Sequence, residues 1–438
     1  MGERVSLRDV GGGNAARIPT FEGLRGILAF GVVVYHVAFQ SGVSSFIDQP
    51  GKGIWGTLAD GLGVCLPPFF VLSGLMLYRP FARATLVGTR KPEVRPFLWR
   101  RALRILPAYW LLIAFTMPAF NSDALNSPWD VLRPLLMIHF FWNTGQPMHG
   151  IDPTWTVPTE FAFYLALPVL AWIAHRWARS TEDPLRRMRR MLAPLLVLEL
   201  FSIGWIVYTN LPSTGQTTLW YWPPYYVGYF AGGMLLAILS AYAEISPRTP
   251  AVHRWMGAHP MLFWLAGLGI YALYAAKLIG ISGMGNMAAL WQEVFDHFLV
   301  AAFALLIVGP MTVPGVKSRL MDGLLANKPV RYLGQVSFGV YLWHEIVINV
   351  YLENGSIFGS PALPTPEFRG SVGFWELLAF TLPVSVAIAT ASYYLLERPV
   401  ARWGKRWGPG SRRTAPAAPA PVPGDRPTAT DPAKETAP

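Results

Sequence analysis

Apolar runs of about the length of a bilayer crossing recur along the chain, separated by short polar and basic segments. They cover approximately residues 18–40, 61–79, 105–120, 155–175, 191–209, 220–241, 261–279, 291–313, 332–351 and 374–396. A helix rises about 1.5 Å per residue, so roughly 20 apolar residues cross the hydrocarbon core. The pattern predicts an all-α integral membrane protein with about ten transmembrane helices. Two stretches break it. Residues 128–142 are apolar but too short to span, and read as one re-entrant or interfacial segment. From Pro409 on, a stretch rich in Ala, Pro, Thr and Arg has no apolar periodicity and reads as disordered. The expected organisation is an N-terminal segment over 1–17, a membrane domain over 18–400 and a tail over 401–438, basic and then Ala/Pro-rich. The first 17 residues are polar and Gly-rich, so no cleavable signal peptide is expected. Tandem glycines at Gly232 and Gly233 suggest a kink and close helix packing.

Composition narrows the class. Of 438 residues, 53% are hydrophobic and 14% are charged, where a soluble domain carries about 25% charged residues. Mean hydropathy is +0.34. An ordinary cytosolic enzyme, a disordered chain and a collagen-like chain are excluded as descriptions of the whole. A net charge of +11 raises the question of nucleic acid, and the distribution of charge answers it. Of the 36 Lys and Arg residues, 31 fall in the N-terminal segment, in loops 79–104, 176–190, 242–260 and 314–331, or beyond the last apolar run. These are alternate connections, so the positive-inside rule puts both termini in the cytosol. The basicity is topological, and no nucleic-acid partner is expected. The single cysteine, Cys65, excludes internal disulfides and thiolate zinc sites. No Walker loop or HExxH is present, and no metal site or permanently bound cofactor is expected.

Ionisable groups at membrane depth are costly and therefore mark candidate function. In the first run Arg25 and His36 are 11 residues apart, three turns plus about 20°, so they share a face roughly 16 Å apart. The plainer alternative pairs Arg25 with Glu22 and satisfies His36 on a carbonyl. In the fourth run Glu160 lies at a depth matching His36, which allows a carboxylate to orient an imidazole; the alternative is a structural partner for Arg25 or a tryptophan. In the ninth run Ser337, Tyr341 and His344 fall at i, i+4 and i+7 on one face. That stripe suits either a substrate path or helix–helix hydrogen bonding. Before the third run, Arg101 and Arg104 project two planar donor forks from one side of a helix. Such forks suit phosphate, while a topology anchor or lipid-headgroup contact would use the same residues.

Several blocks, in order, resemble the integral-membrane acyltransferase family 3 over approximately residues 18–400. They are Leu24-Arg25-Gly26 with His36, Phe69-Phe70 with Leu72-Ser73-Gly74, and Arg101 to Arg104 with Pro107. Trp155 to Glu160 follows, with Phe163-Tyr164 and Pro168, then Ser337 to His344 and Glu397-Arg398-Pro399. Glu22 stands where the family usually has Asp, and Thr156 where it usually has Ser; both keep a polar function. The resemblance implies transfer of an acyl group from acyl-CoA, or a similar thioester, to a hydroxyl of a carbohydrate, glycolipid or polyketide-type acceptor. It implies His36 as general base, with Arg25, Arg101 and Arg104 serving the donor's phosphates. Ser73, Tyr164 and Tyr341 become candidate oxyanion donors. A multi-pass location in a bacterial inner or plasma membrane is expected, as a stand-alone form without an extracellular domain. The competing class is a proton-coupled secondary transporter or flippase using the same Arg, His and Glu groups.

Overall fold

In lipid a backbone must satisfy its own hydrogen bonds, and for one isolated segment the helix is the solution. The computed structural model describes residues 18–44, 53–141, 150–211, 217–246, 250–277, 287–316, 318–352, 370 and 372–409, and among these there is no strand. The helices are α1 (Ile18–Gln40), α2 (Gly53–Gly61), α3 (Pro67–Val87), α4 (Val94–Phe120), α5 (Pro128–Leu135), α6 (Thr156–Ala178), α7 (Pro184–Thr209) and α8 (Pro223–Ile245). They continue with α9 (Ala251–Ala258), α10 (Pro260–Ala276), α11 (Met287–Val308), α12 (Arg319–Leu325), α13 (Lys328–Leu352), α14 (Phe374–Ser392) and α15 (Arg398–Trp407). Proline opens α3, α7, α8 and α10, where its missing N–H costs nothing.

Eight helical stretches are long and apolar enough to cross a membrane, and α9 with α10 makes a ninth if that bent pair is one span. The bend is 95° at His259. Pro260 explains it, because a residue before proline is pushed out of helical conformation. The expected ninth run falls in α13, which has 25 residues and so the length to span. Gln335, Ser337, His344, Glu345 and Asn349 interrupt its apolar run, which keeps it out of the eight.

The short stretch beginning at 128 forms α5 and a single 3-10 turn over His139–Phe141, with Trp142 outside the described residues. Ser127 and Asp130 close a capping box at the start of α5. Tyr109 and Trp110 of α4 donate to the carbonyls of Pro134 and Leu135 at 2.9 and 3.0 Å. At the other end, α15 runs across residue 400. Its basic stretch is helical to Trp407 and packs on α4, with Gly404 against Leu103 and Trp99. Residues 1–17 and 410–438 lie outside the described residues.

Glycines let several helices touch at their backbones. Between α1 and α13, a Cβ on Gly26 would lie 2.8 Å from the nitrogen of Gly334, and a Cβ on Gly334 would overlap the carbonyl of Glu22. Between α3 and α8, a Cβ on Gly74 would overlap the carbonyl of Phe230, and one on Gly233 that of Val71. Small residues permit such approaches, which dispersion and packing then hold. Gly334→Val forces the α1–α13 contact apart and is expected to cost about 1–3 kcal/mol or more. Gly204→Ala, where nothing lies within 4 Å, should be neutral to stabilising by up to about 1 kcal/mol. Thermal unfolding of both variants in detergent, beside the parent, checks the pair.

Candidate active site

A cavity of about 170 Å³ opens between α1, α3, α4, α6 and α13. Eight of the ten expected site residues line it: Arg25, Ser73, Arg101, Arg104, Glu160, Tyr164, Ser337 and Tyr341. Helical spacing explains much of this convergence. Arg101 and Arg104 lie one turn apart on α4, Glu160 and Tyr164 one turn apart on α6, and Ser337 and Tyr341 one turn apart on α13. Apart from Thr156, the remaining wall is apolar, with Phe69, Phe70 and Ile105 among its members.

The polar groups are ordered by hydrogen bonds. Glu160 accepts from Ser73 Oγ at 2.5 Å and from the Tyr164 hydroxyl. Thr156 donates to the Tyr341 hydroxyl at 2.8 Å, and Tyr341 donates to the carbonyl of Pro153. Ser337 closes on the carbonyl of Gly334 at 2.9 Å. The guanidiniums are different. Arg25, Arg101 and Arg104 have no ion-pair partner within 4.0 Å among the described residues. The Nε atoms of Arg25 and Arg101 are buried without any hydrogen-bond partner. Glu22 pairs instead with Arg331 at 3.4 Å, so the plain Glu22–Arg25 pairing is not the arrangement. Three cations and one lining carboxylate leave a local excess of positive charge, and buried unpaired donors are costly. A ligand with several anionic oxygens would satisfy them.

His36 and His344 stand together outside the cavity lining. His36 Nδ1 is 2.9 Å from the carbonyl of Val32 and 3.3 Å from His344 Nε2. The rings are 4.8 Å apart at 62°. His344 Nδ1 donates to the carbonyl of Tyr341 at 2.7 Å, so Tyr341 joins the imidazole pair to the cavity. The family model described as Acyltransferase domain matches residues 18–394. The chain belongs to acyltransferase family 3.

Among its relatives in this family, the chain is 23% identical over 412 residues to O-acetyltransferase OatA of Staphylococcus aureus, covering 88% of this chain and 58% of that protein. It is 20% identical over 405 residues to peptidoglycan O-acetyltransferase OatA of Listeria monocytogenes, covering 88% and 56%. It is 23% identical over 412 residues to the putative peptidoglycan O-acetyltransferase YrhL of Bacillus subtilis, covering 89% and 56%. The chain thus spans less than two thirds of the length of these relatives. No solved structure matches. The motif-based reading of the family agrees with these comparisons, and the transporter or flippase alternative is not favoured by them.

Two features of this candidate site were not legible in the motifs. Glu160 makes no hydrogen bond or ion pair with His36 among the described residues; Ser73 and Tyr164 occupy it, and the imidazole faces His344 instead. Matching depth along two helices does not say which faces meet. The second is Glu345, whose signal in the sequence is an acidic residue inside the ninth apolar run. It is buried, accepts from Gln40 Nε2 at 3.4 Å, and its Oε2 has no partner. Ligand atoms of His36, His344 and Glu345 lie within 4.8 Å of one another, a grouping that composition did not suggest. Glu199 and His297 form a further embedded pair at 2.9 Å, away from the cavity.

Glu160→Gln removes the one lining carboxylate while leaving an acceptor for Ser73 or Tyr164. Inorganic pyrophosphate should then bind the purified protein several-fold more tightly than it binds the parent. Calorimetry at two ionic strengths checks this, since the gain is electrostatic and must shrink with salt. Equal affinities would show that Glu160 does not offset the guanidiniums.

Proposed function

We propose that this protein is a membrane O-acyltransferase that moves a short acyl group from acyl-CoA, or a similar thioester, to a hydroxyl of a carbohydrate-type acceptor. The observation that carries the reading is the cavity with three unpaired guanidiniums, joined through Tyr341 to a pair of imidazoles. The unpaired donors suit the phosphates of a donor that enters at the Arg25 end. Arg25 and His36 are 11 residues apart on α1, roughly 16 Å, so a long-armed donor held at Arg25, Arg101 and Arg104 reaches the imidazole end. The division of 31 cations from five supports a cytosolic location for that basic mouth and for both termini, in a bacterial cytoplasmic membrane. The relatives' names, O-acetyltransferase and peptidoglycan O-acetyltransferase, support the short acyl group and the carbohydrate hydroxyl.

In the proposed reaction, the neutral imidazole of His36 takes the proton of the acceptor hydroxyl as that oxygen attacks the thioester carbonyl. The carbon–sulfur bond then breaks, and the leaving thiolate recovers the proton from the imidazolium. The products are an ester and a free thiol, and His36 is regenerated. General base catalysis of this kind contributes about 10²–10⁴-fold. One of the hydroxyls of Ser73, Tyr164 and Tyr341 serves as donor to the oxyanion by turning its single O–H from the carboxylate or carbonyl it holds in the resting site. Glu160 serves the reaction by holding two of these hydroxyls and offsetting the guanidiniums.

The reading separates into two experiments on purified protein with labelled acyl-CoA. Arg101→Ala with Arg104→Ala should raise the KM for the donor at least tenfold while the acceptor KM and the amount of inserted protein stay near parent values. A fall in protein amount alone would return these residues to the role of anchors. His36→Ala should lower kcat by about 10²–10⁴-fold with donor affinity kept. Transfer by that variant at a rate near the parent's would sink the proposed base.

A further inference from the structure

The hydrogen bonds around the two imidazoles determine which ring nitrogen carries each proton. A carbonyl oxygen only accepts, so His344 Nδ1, 2.7 Å from the carbonyl of Tyr341, is protonated. A neutral His344 then has a bare Nε2. That lone pair faces His36 Nδ1 at 3.3 Å, and the carbonyl of Val32 faces the same atom at 2.9 Å. With two acceptors in front of it, His36 Nδ1 carries the proton, and the lone pair of His36 is on Nε2. The bond made by one ring nitrogen sets the state of the other.

We infer that His344 is the positioning residue of the site, fixing His36 as the tautomer whose bare Nε2 is the working base. This rests on the proposed role of His36. Val32 alone is a weaker constraint, because its carbonyl also receives the helical backbone bond from residue 36, and it lies on the same helix as the ring it holds. His344 comes from α13 and is fully buried, so its Nε2 is a fixed acceptor that ties the ring of His36 to the bundle. When His36 takes a proton, its Nδ1–H already points at a lone pair, and the imidazolium forms without rearrangement. A protonated His344 would turn an N–H toward an N–H, so the geometry is that of the neutral pair. It also argues against a resident metal on these groups: an ion on His36 Nδ1 would need the lone pair that the contacts with Val32 and His344 replace by a proton.

The test combines two variants with a spectroscopic signature. His344→Gln keeps a side-chain acceptor where Nε2 stands, and His344→Phe keeps a ring without one. His344→Phe should lower kcat about 10–100-fold, as with other groups that orient a working histidine, with donor KM within about twofold of the parent. His344→Gln should recover most of the loss. Equal loss in both variants, or none in either, would overturn the assignment. Nitrogen NMR of the parent labelled with ¹⁵N-histidine, with the His36 signals identified by their absence in His36→Gln, should show Nδ1 protonated and Nε2 bare. The reverse pattern overturns the inference whatever the activities. So would one tightly held transition-metal ion per chain that disappears in His36→Gln. If His36→Ala retains full transfer, the proposed base fails while the spectrum still reports the tautomer, so the two failures are distinct.

Discussion

The site depends on one close contact, the meeting of α1 and α13 at Gly26 and Gly334. Without side chains there the two backbones approach to a distance that a Cβ would forbid. Ten residues further along each helix stand His36 and His344, whose rings touch. Equal offsets in the same chain direction mean that the helices run parallel from the glycine contact to the imidazole contact, about 15 Å. Arg25 sits beside the glycine on α1, and Ser337 and Tyr341 lie between the two contacts on α13. One tight joint therefore sets the cationic end of the cavity and the imidazole pair in a fixed relation. The α3–α8 contact at Gly74 and Gly233 uses the same device next to Ser73, on the opposite wall.

Within that frame the treatment of charge is uneven. At the periphery cations have partners: Arg79 meets Glu244, Arg331 meets Glu22, and Arg186 meets Asp183. At the cavity, Arg25, Arg101 and Arg104 converge on one lining carboxylate, and that carboxylate already accepts from Ser73 and Tyr164. Leaving buried donors unsatisfied destabilises the bundle. A ligand that supplies the missing anionic oxygens recovers that energy on binding, which makes the destabilised cavity an affinity device. Tyr341 connects the two chemistries: its hydroxyl belongs to the Thr156–Pro153 network and its carbonyl holds His344.

The chain by itself determined the helices and their chemistry. Apolar length and cation-rich connections are properties of local sequence, because a bilayer demands about the same run of apolar residues from any helix. The pairs Arg101/Arg104, Glu160/Tyr164 and Ser337/Tyr341 were legible for a similar reason, since residues three or four apart share a face whatever the neighbours are. Which faces meet is a different matter. Depth made Glu160 a plausible partner for His36, yet α6 turns it toward Ser73 of α3, and His36 meets His344 from 308 residues away. The break at His259 depended on one proline, and Glu345 gained its place only through Gln40 on another helix. Helix periodicity is written in neighbouring residues, whereas the pairing of helices follows from packing that involves the whole bundle at once, and so the tertiary structure alone decided the partner of the imidazole.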